Sequence, residues 1–183
     1  MSHIFPLYAA VSLFVVALYG CGPMVIRDAS TGAQVPIQRG SFELYKAVEI
    51  PSGRTRIYFQ GGRQVGGVNE FQPHCQLEVN TLLEQTRRVE ADVFAVTRVG
   101  TRSDQVVMGQ SGVQLAGLGG FGLWGAGESR RMYVYVFGLH SDRQPDVRSL
   151  NCGGAFDAPM LAELPTLQEI QEALGEFGTL HPQ

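Results

Sequence analysis

Two stretches of this chain are apolar on both sides of an extended backbone, and that condition limits the folds open to it more than any other feature. In residues 92–101, Phe94 and Val96 alternate with Val93, Ala95, Thr97 and Val99; in residues 132–139, Met132, Val134 and Val136 alternate with Tyr133, Tyr135, Phe137 and Leu139. A side-chain period of two puts the members of each pair of sets on opposite faces of a strand. Such strands need cover on both sides. A lone sheet with one wet face is therefore excluded, and a second layer of sheet or helix is required.

The remaining elements follow from alternation and punctuation. Phe42, Leu44, Lys46 and Val48 alternate with Glu43, Tyr45, Ala47 and Glu49 up to a turn at Ile50-Pro51-Ser52-Gly53. Residues 54–60 read as the return strand of a hairpin, with Ile57 and Phe59 on one face, Arg56 and Tyr58 on the other, and Gly61-Gly62 closing it. Residues 66–70 are loop, and residues 82–90 are polar without a clear period. Between them Cys75, Leu77, Val79 and Thr81 share one face of the most regular alternation in the chain. Near the C-terminus, Thr166-Leu167-Gln168-Glu169 after Pro165 is a capping box, and Leu167, Ile170, Leu174 and Phe177 form one helical stripe. Gly178 is expected to end that helix and leave 179–183 as a tail. The expected fold is mainly β within the α+β class: an antiparallel sandwich or partly open barrel of about six to eight strands with one C-terminal amphipathic helix.

The N-terminus carries a separate signal. Residues 4–19 hold no charge, and as a helix they span roughly 24 Å, short of the ~30 Å hydrocarbon core, which suits a secretory leader better than a membrane span. Leu18-Tyr19-Gly20-Cys21 ends the run and resembles the lipobox of bacterial lipoproteins, with Leu18 and Gly20 matching and Tyr19 departing from it. The resemblance implies a signal peptide over 1–20 and acyl chains on Cys21 that hold the protein to a lipid bilayer. More than one chain gives stable attachment. Gly22 in place of the aspartate that retains many lipoproteins at the inner membrane implies the periplasmic side of the outer membrane. Residues 21–40, with glycines and prolines and little periodicity, read as the lipidated cysteine and a flexible tether, and 41–183 as one periplasmic domain. Acylating Cys21 leaves Cys75 and Cys152 as an even pair, expected to form a disulfide in the oxidising periplasm.

Charge narrows the partners. With 14 basic against 17 acidic residues and a net charge of −3, the chain has no basic excess for nucleic acid. After Arg148 there is no Lys or Arg, so the C-terminal acids read as a solvated helix face. Residues 109–127 hold eight glycines and no charge, together with Phe121, Leu123 and Trp124. They read as a long hairpin or irregular segment, or as an apolar loop contacting lipid or a partner. Gly117-Leu118-Gly119-Gly120-Phe121-Gly122 within it fits G-x-G-x-x-G, but no strand-to-helix passage surrounds it, so no dinucleotide and no other cofactor is expected. His74 and His140 lack a second ligand at metal spacing and read as structural, and the charged stretch 141–148 as locally paired charges at a turn. No nucleophile elbow, Ser-x-x-Lys or His-Glu-x-x-His motif occurs in the chain.

Arg56-Ile57-Tyr58-Phe59-Gln60, Pro73-His74-Cys75-Gln76-Leu77-Glu78, Phe94-Ala95-Val96-Thr97-Arg98 and the block running from His140 to Arg148 resemble those of small uncharacterised envelope lipoproteins of proteobacteria. The resemblance brings no activity. The expectation is a non-enzymatic accessory or binding subunit of an envelope assembly, with an envelope protein as partner. The alternative is a small carrier whose strands curl round a lipid-like ligand.

Overall fold

The computed structural model of the chain describes residues 24–108 and 128–183. The fold is α+β and mostly strand, built on a curled eight-stranded sheet resembling half a barrel. Twelve strands are described: β1 (Val25–Arg27), β2 (Gln34–Pro36), β3 (Gly40–Leu44), β4 (Val48–Ile50), β5 (Arg56–Gln60), β6 (Arg63–Val65), β7 (His74–Val79), β8 (Arg87–Val89), β9 (Asp92–Met108), β10 (Glu128–His140), β11 (Val147–Gly153) and β12 (Gly178–Pro182). One helix, α1 (Leu167–Leu174), continues into a single 3₁₀ turn, Gly175–Phe177. The main sheet runs β12-β3-β9-β10-β11-β7-β5-β6, and β1-β2 and β4-β8 form two small pairs. All the pairings are antiparallel.

The register explains the core. Phe59, Cys75, Cys152 and Tyr135 lie side by side on adjacent strands, and Ile57, Leu77, Leu150 and Phe137 make the next row. Both rows are buried, together with Phe42 and Phe94, and Ile170, Ala173 and Leu174 of α1 join the same cluster. The capping box at Thr166 forms: its hydroxyl accepts from the Glu169 backbone N–H, and the Glu169 carboxylate accepts from the Thr166 N–H at 2.7 Å. The helix covers one face of the sheet, which supplies the second layer that the sequence requires. Cys75 and Cys152 are register partners on β7 and β11, form the expected disulfide with Cα atoms 4.1 Å apart, and are fully buried.

Gly61-Gly62 closes the strand as expected and turns β5 into β6. Both glycines have positive φ, 56° and 73°, as a two-residue type I′ hairpin turn requires. The turn also docks on the helix end. The Gly62 N–H donates to the Ala173 carbonyl, and a Cβ on Gly175 would lie 2.3 Å from the Gly62 Cα, so a bare backbone is required at 175.

Four expectations are corrected. The predicted hairpin between residues 41–49 and 54–60 does not form: β3 pairs with β9 and β12, while β4 leaves the sheet to pair with β8, inside the stretch 82–90 read as irregular. The helix ends at Gly175, with φ of 53°, rather than at Gly178, and 178–182 is the edge strand β12 rather than a tail. Of the flexible tether expected over 21–40, residues 24–40 are part of the fold instead, because β1 and β2 pair and Ile26 and Ile37 are 0% and 1% exposed in the core. Finally, residues 92–101 are covered on one side only. Phe94 and Val96 are buried, whereas Val93 is 55% exposed and Ala95 and Thr97 also face solvent. On β10 the two-sided reading holds, since Tyr135, Phe137 and Leu139 join the main core and Met132 and Val134 pack with Phe156 on the other face.

Candidate functional site

Along β5, β7 and β11 the face of the sheet opposite the helix is mainly polar where the other is apolar. Tyr58 on β5 pairs with Gln76 on β7, which pairs with Asn151 on β11, which pairs with Val136 on β10. These are the alternate positions of the strands that carry Phe59, Cys75 and Cys152 inward, so period two fixes their direction. The neighbouring row is His74, Gly153, Val134 and Arg102. On the other flank Arg56, Glu78 and Ser149 are aligned.

A strap of loop turns this face into a cleft. Gln60 holds the segment after β6, donating to the Asn69 carbonyl at 2.9 Å and accepting from the Asn69 N–H at 2.9 Å. The Phe156 N–H donates to the Glu70 carbonyl at 2.8 Å and pins the far side. Between strap and sheet lies a cleft of about 180 Å³, walled by Val68 and Glu70 above and by the two rows below. Polar side chains become buried there: Asn151 is 3% exposed, and His74 and Gln76 are 7% exposed each.

Most of these groups have partners. The Gln76 amide donates to a Glu78 carboxylate oxygen at 2.6 Å, His74 Nδ1 lies 3.1 Å from the Gln72 carbonyl, and Arg102 holds Asp104 through two bonds of 2.9 and 3.1 Å. Arg56 stands 3.9 Å from Glu78. Asn151 is the exception: the residue lines the cleft, and its side-chain oxygen is buried without a hydrogen-bond partner. Leaving such an atom unpaired costs about 1–3 kcal/mol. Met132 and Val134 form an apolar wall beside it, and the Tyr58 ring meets His74 edge-on with centroids 6.5 Å apart.

A second polar cluster serves the fold. Asp92, with its side chain 5% exposed, accepts from Ser141 Oγ at 2.6 Å, from Gln144 Nε2 at 3.2 Å and from the Arg143 guanidinium. Burial pushes its carboxyl up, but the bonds from Arg143, Ser141 and Gln144 outweigh it and hold the group well below the usual carboxylate range. Asp146 pairs with Arg87 and accepts from the Thr81 hydroxyl at 2.7 Å. The stretch 141–148 was expected to pair its charges locally. Asp142 does pair locally, with His140, whereas Arg143 and Asp146 pair with Asp92 of β9 and Arg87 of β8, which clamps the β10–β11 turn onto the sheet.

His140 is exposed and reaches only Asp142, at 3.2 Å, and His74 is buried with its Nδ1 beside the Gln72 carbonyl. Among the described residues no group of three His, Cys, Asp or Glu side chains is placed to hold a metal, and no helix is long and apolar enough to cross a membrane. Cys21 and the contact-loop residues Phe121, Leu123 and Trp124 lie outside the described residues. The strands flanking that loop do converge, since Met108 is paired with Glu128.

Sequence reading missed Gln76 and Asn151 as a pair. The signal was present, because two cysteines bonded directly across neighbouring strands set the register and place Gln76 opposite Asn151. Compared with protein-family models, curated proteins and solved structures, the chain matches none.

Proposed function

We propose that this chain is a periplasmic lipoprotein, anchored in the outer membrane through acylated Cys21, that works as a non-enzymatic binding subunit of an envelope assembly and binds through the cleft around Asn151. The observation that carries the binding role is the unpartnered oxygen of Asn151. A sheet face of this kind is stabilised by apolar residues or fully paired polar ones, and an orphaned buried acceptor serves the complex rather than the free fold. Leu18, Gly20 and Cys21 support the anchor, and the Cys75–Cys152 disulfide fits an oxidising compartment. The carrier reading has less support. The interior that would hold an apolar ligand is filled by Phe42, Phe59, Phe94 and Phe137, each at 0% exposure.

One experiment reads anchor and site together. Cells expressing the full chain with a photoreactive phenylalanine analogue in place of Tyr58, or in place of Glu49 on β4, are fed labelled palmitate and irradiated. Label is expected in the chain and absent from Cys21→Ala, with adducts to an envelope component at position 58 and none at 49. Label retained by Cys21→Ala overturns the anchor, and equal adduct yields at 58 and 49 overturn the site.

A further inference from the structure

Resting on that reading of the cleft, we infer that its ligand is one N-acetylated sugar ring. Size comes first. A space of about 180 Å³ is below the ~300–1,000 Å³ of sites for drug-sized molecules, so it admits a single ring and excludes a lipid chain or a folded peptide. Charge comes second. Each arginine at the site stands beside an acid, Arg102 with Asp104 and Arg56 with Glu78, and the remaining charge on the wall is the Glu70 carboxylate, so the cleft has no free cation to select an anion. A neutral ligand whose hydroxyl groups donate to such carboxylates fits this lining.

The acetamido group follows from what surrounds Asn151. Its free oxygen is an acceptor and calls for a donor from the ligand. Beside it Met132 and Val134, 6% and 2% exposed, offer an apolar wall in an otherwise polar row. An acetamido substituent carries an N–H donor and a methyl group two bonds apart, which satisfies both at once. Hydroxyl groups alone would leave the methyl-sized apolar wall unused. The ring itself has apolar C–H faces and a rim of hydroxyls. Tyr58 supplies an aromatic face for the former, and the Arg102 and Asp104 side chains supply a donor and an acceptor for the latter.

The test is a titration of the ¹⁵N-labelled full chain in detergent micelles with N-acetylglucosamine and, separately, with glucose. Saturable shifts are expected in the Asn151 and Gln76 side-chain amide signals with N-acetylglucosamine, and at least tenfold weaker binding of glucose. Asn151→Leu, which removes the acceptor and keeps the branched outline of the side chain, should weaken N-acetylglucosamine at least tenfold, and so should Tyr58→Ala at a half-buried position. Equal response to the two sugars, no response to either, or binding unchanged in both variants overturns the inference. If the sugar fails while adducts at position 58 persist in cells, the ligand class is wrong and the binding role stands. If both fail, the cleft is not a site.

Discussion

Replacing Cys75 and Cys152 together by alanine is expected to lower the stability of the chain by about 3–5 kcal/mol. The bond closes a span of 77 positions, and restricting so long a loop in the unfolded chain corresponds to roughly 4.5 kcal/mol in the chain-entropy model. Both residues are also fully buried between Phe59 and Tyr135, so the lost sulfurs leave a partly unfilled core row. Chemical denaturation of the oxidised wild type, the reduced wild type and the double variant measures this. Reduction should give the chain-entropy part of the loss, and the double variant somewhat more. A loss below about 1 kcal/mol for both would show that the disulfide is incidental to the fold.

Asp92→Ala is expected to cost about 2–4 kcal/mol. Removing one partner of a buried ion pair costs about 3–5 kcal/mol, but Arg143 is 72% exposed and water compensates part of its loss. The Ser141 hydroxyl, itself 8% exposed, loses its acceptor, which adds to the loss. The pH dependence has a defined sign. A carboxyl whose folded pKa is lowered stabilises the fold fully above its ordinary value of 3.8 and loses that contribution as pH falls toward the folded value. Asp28 acts in the same direction. Its carboxylate is drawn down to about 2 by hydrogen bonds from the Ser30 hydroxyl, the Thr31 N–H and the Gln168 amide. Thermal melts of the wild type should therefore fall steeply from about pH 4 to pH 2, and those of Asp92→Ala less steeply over the same window. Parallel acid slopes in the two proteins would remove Asp92 from the account.

What the residues revealed in advance depended on whether the deciding interaction was local. The capping box, the Gly61-Gly62 turn and the alternation of β7 are each complete within a few residues, and each forms. Burial of a strand face depends on what is laid over it. Val93, Ala95 and Thr97 have the chemistry of core positions but no layer above them, whereas the equally apolar second face of β10 is met by Phe156 from beyond β11. Strand partners are non-local too. Adjacent strands usually pair, which favoured a β3–β5 hairpin, yet β3 takes the C-terminal β12 as its partner. That edge strand is hard to recognise because it carries His181 and Pro182, and proline is tolerated only where no inner ladder bond is lost. Alternation sets Tyr58 and Gln76 away from Phe59 and Cys75, but sequence reading marks no strand around Asn151. Only the register, fixed by the disulfide one position away, makes them a row.

The claim that the polar row is kept for binding rather than for folding is tested most directly by the melting temperature of Asn151→Leu. Leucine keeps the branched outline of asparagine with two larger methyl groups, removes the buried acceptor that has no partner, and adds apolar contact beside Val134 and Val136. Relief of about 1–3 kcal/mol corresponds to a rise of roughly 2–12 °C for a chain of this size. A higher melting temperature together with lost binding is the result this account predicts. A melting temperature several degrees below that of the wild type would show that Asn151 holds the sheet together, and would contradict it.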